Sequence, residues 1–541
     1  MTIDTEQAQV RLDALAALLN AHRHQDALAA SDAMLAANLI HPLPLAVAAS
    51  ARQRMGLFDE ALILWNRRAQ LMADQAQGWA PLAVCLDAAR RPELALRAWD
   101  KALALAPGDP AILAGKAGNL RGLHQSEAAR ALYRQALTVA PGQFEAAFGL
   151  AQLALEAGDY EEAEATSVRL LAIYPDYPGT MFMAARVAFE GGQPALALAR
   201  LKLLLARPSV APEQRADALL LRSRAEDGLN RVADGFASAA QGKAIQRSLF
   251  AQRASGREGE LAKMQRLTAW FDAADPAPWR TAPPEVVVGS EPSAHVFLIG
   301  FPRSGTTLLE QVLAGHPDVV ALEEAPTLAE PYAEFLTSSD GLRRLADISP
   351  ADARIWRRRY WAEVTAHGSV PAGRVFVDKA PAGTIYLPLI AKLFPSAKIL
   401  FAVRDPRDVV LSCFRNNFQL NAMTYAFTDL GETAACYAGC MSMAEVYRRM
   451  LPLDLREVRH EALVEDFAGE LAKIAAFLGM EVVVGMADIA GTSASRTVRT
   501  PSAVQVREGL NRRGLARWRA YAEMLAPVQS VLAPWVERWG Y

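Results

Sequence analysis

Cysteine is scarce in this chain. Its 541 residues hold four, Cys85, Cys413, Cys436 and Cys440. That is too few to staple a fold of this length, which excludes a disulfide framework. Cys436 and Cys440 are spaced for one face of a helix, but a metal centre needs two more soft ligands nearby and the sequence offers none. Buried thiols and no metal are expected. An excess of charge is missing too: 57 Lys and Arg against 59 Asp and Glu leave a net charge of −2. No global field argues for nucleic acid or an anionic membrane as partner, although a local basic pocket for a small anion stays open. No run of about 18 apolar residues without charge occurs, so no membrane span is expected. The opening MTIDTEQAQVRLDALAALL lacks the cationic start and uninterrupted apolar core of a signal peptide, and the cytoplasm is the expected location.

What the sequence has in quantity is alanine, and in the first 245 residues it is periodic. Ala27, Ala61, Ala95, Ala129, Ala163 and Ala197 stand 34 residues apart. Ala49, Ala83, Ala117, Ala151 and Ala185 precede the last five of these by twelve residues, and Pro107, Pro141 and Pro175 follow the middle ones by twelve. Small residues at two fixed places let paired helices cross closely, and a proline after the second helix breaks the chain toward the next pair. Turn signals at Gly56–Asp59 and Gly158–Tyr160 separate the helices, and Trp79 adds an aromatic.

This pattern resembles the tetratricopeptide repeat. The resemblance implies a helical solenoid of about six units between residues 8 and 210, with a poorer seventh from about Arg215 to Ala244 as its cap. It implies a surface for a peptide or partner protein; a spacer or dimerisation scaffold is the other expectation. Three regions follow: a repeat domain over 1–247, a helix and Pro-rich linker over 248–294, and an α/β domain over 295–541. The linker is marked by five prolines from Pro276 to Pro292. After it, short apolar runs alternate with turns and helices.

HVFLIGF, residues 295–301, predicts a buried strand, then the loop Pro302–Thr307 (PRSGTT), then a helix starting LLEQVLAGH. Strand, glycine loop and helix N-terminus make an anion site, with Gly305 admitting close backbone approach. Ser304, Thr306 and Thr307 add hydroxyl donors and Arg303 a charged one. The spacing nearly meets the nucleotide P-loop, but Thr306 stands where that motif has lysine, which argues against a kinase or ATPase.

PRSGTT after a strand resembles the 5′-phosphosulfate loop of PAPS-dependent sulfotransferases. The wider run PRSGTTLLEQVLAGHPDVVALEEAPTL is most similar to the tyrosylprotein sulfotransferase branch. The resemblance carries further. In the strand–RDPRDV–helix segment after AKILFAV, Arg404 and Ser412 match the residues that hold the 3′-phosphate of PAPS, chemistry that suits an arginine fork and a hydroxyl. Arg415 is a doubtful addition, since the family's next arginine falls at Asn416. Glu324 matches the catalytic glutamate, with neighbouring Glu323 as rival. Lys379 matches the lysine that contacts the bridging oxygen. Ser502, Arg517 and Trp518 match a C-terminal loop over the cofactor, with Arg507, Arg512 and Arg513 as a basic run of open purpose. His460 stands where the family has an aromatic near the adenine.

The resemblance therefore implies an all-α solenoid followed by a parallel-sheet α/β domain. PAPS would be the sulfuryl donor and no metal is needed. The acceptor hydroxyl would belong to a peptide tyrosine, a carbohydrate or a small molecule. Arg303, Lys379 and Ser502 would stabilise the transferring group while Glu324 removes the acceptor proton. The contrasting expectations are a kinase-like nucleotide enzyme and a repeat-based interaction scaffold with an inactive nucleotide-binding domain.

Overall fold

The computed structural model describes residues 5–21, 23–256, 258–285, 292–338, 340–368, 373–489, 491–492, 512 and 514–541. Each alanine of the two periodic registers, from Ala27 to Ala197, is fully buried. The spacing is thus a packing requirement: five helix pairs, Pro42–Arg54 with Phe58–Leu71 through Pro178–Glu190 with Pro194–Leu205, carry a side chain no larger than a methyl group at the fixed place on both helices. The first pair, Thr5–Asn20 with His24–Ala36, has buried Leu15 at the earlier place. Large residues fill what the alanines leave, with Trp65, Trp99 and Tyr133 all buried. Pro107, Pro141 and Pro175 sit in the turns between pairs. Successive units are also tied by polar contacts, such as Arg200 donating to Glu164 of the preceding pair at 2.6 Å. Among the described residues no helix is long and apolar enough to cross a membrane.

The chain divides into two compact units, Met1–Arg207 and Pro208–Tyr541. Two helices expected to extend the repeat, Pro212–Gly228 and Val232–Ala254, therefore fall in the second unit rather than the first. Their contacts explain it. Lys243 donates to the Asn416 carbonyl at 2.7 Å, Gln246 to Asn417 at 2.7 Å, and Phe236 packs on Phe414 and Tyr521.

The second unit is built on a five-stranded parallel sheet in the order β2-β3-β1-β4-β5. Its strands are β1 Ala294–Gly300, β2 Val319–Glu323, β3 Val375–Ala380, β4 Lys398–Val403 and β5 Asp454–Arg459. Alternate residues leave on opposite faces. Phe297, Ile299, Phe376, Ile399 and Phe401 join one core with Phe271, Trp279, Tyr360 and Tyr447. Val296, Leu298, Val377 and Leu400 join the other with Leu309, Val312, Ile474 and Met486. A sheet buried on both faces is the setting that favours parallel strands joined by helices, and loops at its carboxyl edge are the ordinary place for a ligand. The four cysteines are free and buried, and burial pushes Cys413, Cys436 and Cys440 up to about 12.

Candidate functional site

The carboxyl ends of all five strands gather the candidate residues. β1 ends at Gly300, where a Cβ would lie 2.7 Å from the Ala402 carbonyl of β4. This close approach seats the phosphate loop against the neighbouring strand. In the loop Arg303 has φ +72 and Gly305 φ +98, both left-handed. Glycine takes that conformation without strain, whereas arginine does not, and held strain of this kind concentrates at functional positions. Gly305 is the N-cap of the helix Thr306–Ala314, so the loop and the first helical N–H groups face one point. Ser304, Thr306 and Thr307 are buried around it.

Arg404 follows β4, and Ser412 lies on the next helix, Pro406–Arg415. The Arg303 Nε donates to Ser412 Oγ at 2.9 Å, and Arg404 Nη1 donates to the Arg303 carbonyl at 3.3 Å. The loop Pro302–Thr307 and the Arg404–Ser412 pair are thus in direct contact. Burial, and then the like charge of Arg404, push the Arg303 guanidinium down to about 10. Two cations brought together in a buried site make a field for an anion. Asn416 donates to the Ser412 Oγ at 3.1 Å and to its carbonyl at 2.8 Å, fixing the hydroxyl from the helix end.

The second cluster surrounds Lys379 in β3, which is fully buried. Its Nζ lies 3.0 Å from Glu323 Oε1, 3.0 Å from Glu324 Oε1 and 3.3 Å from Glu310 Oε2. Burial alone would depress the ammonium, but Glu310, Glu324 and Glu323 outweigh it and hold Lys379 above its ordinary range. The Glu324 side chain is 47% exposed, Glu323 18% and Glu310 2%. Of the three, Glu324 is the most open to solvent. Its backbone is left-handed as well, φ +51, and its N–H donates to the Lys379 carbonyl at 2.9 Å. Glu310 was not legible as part of this group. It sits in LLEQVL, which reads as an ordinary amphipathic turn, and only the packing of the helix Thr306–Ala314 against the sheet brings it to Lys379.

Other candidates lie elsewhere. Arg415 turns to Asp227 at 3.3 Å and stacks on Tyr521 at 4.6 Å, away from Ser412, in keeping with its doubtful place. Arg517 also pairs with Asp227, at 2.6 Å. It joins the helix Pro212–Gly228 rather than the Arg303–Arg404 group. Burial would raise the Asp227 carboxyl, but Arg415, the Tyr521 hydroxyl and Arg517 together hold it below its usual range. The Trp518 N–H donates to Asp408 at 2.7 Å, and its ring carries Arg407 at 3.7 Å. Ser502, Arg507 and Arg513 lie outside the described residues, and Arg512 is exposed. His460 opens the helix after β5 and is set against Gly305 of the phosphate loop.

Next to Lys379 in β3, Asp378 heads a buried polar chain with no motif to mark it. Asp378 accepts from Thr327 and Tyr360 at 2.8 Å each, and the Tyr360 hydroxyl also meets His295 Nε2 at 2.8 Å. Burial raises Asp378 to about 6 and lowers His295 to about 3.

Comparison with known proteins agrees with this geometry. Residues 295–483 match the sulfotransferase family, and residues 120–167 match the tetratricopeptide repeat. An uncharacterized protein of Aquifex aeolicus is 28% identical over 262 residues, 46% of this chain but only 34% of that protein. A putative protein-tyrosine sulfotransferase of Caenorhabditis briggsae is 26% identical over 237 residues, 41% of this chain and 80% of its own length. Protein-tyrosine sulfotransferase 1 of Danio rerio is 27% identical over 274 residues, covering 46% and 72%. Among solved structures, a tetratricopeptide repeat protein from Parabacteroides merdae aligns with 44% of this chain and 93% of its own, at TM-score 0.37 and 17% identity. Residues 295–483 form a sulfotransferase-family domain, which follows a tetratricopeptide repeat in sequence.

Proposed function

We propose that this protein transfers a sulfuryl group from PAPS to a tyrosine hydroxyl of a peptide, and that the repeat array binds a peptide or protein partner. The observation that carries the donor assignment is the contact of Arg303 with Ser412 and Arg404, which joins two anion-binding elements from distant parts of the chain. A donor with phosphate groups at both ends of an adenosine fits that arrangement. The phosphate loop would hold the 5′ end and Arg404 with Ser412 the 3′ end; Arg404 Nε is buried with no partner among the described residues. When bound, the donor supplies an activated sulfuryl group. Glu324, open to solvent and held by Lys379, takes the proton of the acceptor hydroxyl, and Lys379 places positive charge where negative charge develops. The tyrosine acceptor is supported by the names of the Caenorhabditis and Danio relatives.

Calorimetric titration of PAP into the full chain tests the donor, with ATP and a nucleotide lacking the 3′-phosphate as controls. Selective PAP binding that weakens in Arg404→Ala is the expected result, and no PAP binding by folded protein overturns the assignment. Sulfate transfer from labelled PAPS to a tyrosine peptide, compared with the same peptide carrying phenylalanine, tests the acceptor.

A further inference from the structure

His460 is placed strangely for a group meant to cover an adenine. It begins the helix His460–Glu465 at the carboxyl end of β5, next to Arg404 at the end of β4. A Cβ built on Gly305 would lie 2.7 Å from the His460 Nδ1 and 3.2 Å from its Cγ. The imidazole therefore lies against the bare α-carbon of the phosphate loop, over the residue that caps its helix. Nδ1 is buried and has no hydrogen-bond partner among the described residues. A buried polar atom without a partner is rare and calls for a reason.

We infer that His460 is a proton-linked contact for the phosphate end of the donor: it takes up a proton as the anion binds and donates it as a hydrogen bond from Nδ1. This rests on the PAPS reading above. The charged groups packed there are Arg303 of the phosphate loop, Arg404, Asp405 and Asp408 after β4, and Glu461 on the histidine's own helix. Glu461 is committed to the Asp405 N–H at 3.0 Å and to the Tyr541 hydroxyl. Burial, followed by the charges of Arg404 and Arg303, keeps the imidazole neutral, down to about 3. A phosphate dianion beside the two guanidinium groups reverses the sign of that field. The cost of protonation falls, and an acceptor lies where the orphan Nδ1 points. Phenylalanine at this position would fill the same space without the proton.

The test is titration of PAP into the full chain in buffers of different ionisation enthalpy, near pH ~6.5 where imidazole ordinarily titrates. His460→Asn and His460→Phe are measured beside the wild type, with circular dichroism to check folding. The wild type takes up protons on binding in excess of both variants. Its affinity also tightens by about tenfold more than theirs between pH ~8 and ~6, the shift set by one proton gained. Subtracting the variants removes the phosphate's own ionisation. PAP binding with the same proton uptake and pH slope in all three proteins overturns the inference and leaves the donor assignment standing. Failure of the wild type to bind PAP overturns both.

Discussion

Replacing Lys379 by methionine keeps most of the side chain's volume and removes its charge. In the wild type this one ammonium answers three carboxylates at 3.0–3.3 Å, and the Glu310 side chain is only 2% exposed. Glu323 and Glu324 have some access to water and can hydrate when the cation goes. Glu310 has almost none, and breaking a buried ion pair by removing one member typically costs about 3–5 kcal/mol. Lys379→Met should therefore lower the unfolding temperature of the second unit by roughly 6–10 °C, taking roughly 2 °C per kcal/mol. The double variant Lys379→Met/Glu310→Leu removes both members and should recover more than half of the loss. Scanning calorimetry of the full chain reads both shifts. A single variant within about 2 °C of wild type, or a double variant no better than the single, refutes the claim that Glu310 is held by Lys379.

Glu324→Gln should reduce kcat by about 10²–10⁴-fold with PAP affinity unchanged, while Glu323→Gln costs much less; equal losses would remove the base assignment. Gly305→Ala forces a left-handed residue that costs roughly 1–2 kcal/mol and drives a methyl group into His460, so PAP binding should weaken by about tenfold or more. Burial lowers Lys243 from 10.5 to about 8. The unfolded chain then binds more protons across that window, and the second unit should gain stability as pH rises through it. Lys243→Met should abolish that gain, worth about 3 kcal/mol, in urea titrations at several pH values.

The repeat was readable because it imposes one demand many times: an alanine wherever two helices cross. β1 and β4 were readable as apolar runs because both are interior strands with two buried faces. β2 and β5 were not expected as strands, and both are edges. Asp454–Arg459 reads DLREVR, charged at four of its six positions, as suits a strand with one side unpaired. The loop's anion site followed from local order, strand to glycine to helix. Glu310 and the Asp378–Tyr360–His295 chain did not, since they are assembled by strand order and not by spacing. The helices from Pro212 to Ala254 carry the same apolar pattern as a repeat unit. What sets them apart is Lys243, a lysine at a fully buried position, which a solenoid helix would not choose.

The stretch recognisable as sulfotransferase, 295–483, is shorter than the body that holds it, which runs from Pro208 to Tyr541. Asp227 and Lys243 lie before that stretch and Arg517, Tyr521 and Trp539 after it, yet each is anchored in the same unit. For anyone exchanging parts between such proteins, the interchangeable piece is not the homologous segment. A graft cut at residue 295 would leave the Asn416 carbonyl without its lysine and Arg415 without its aspartate. A graft cut after Arg207 carries both along.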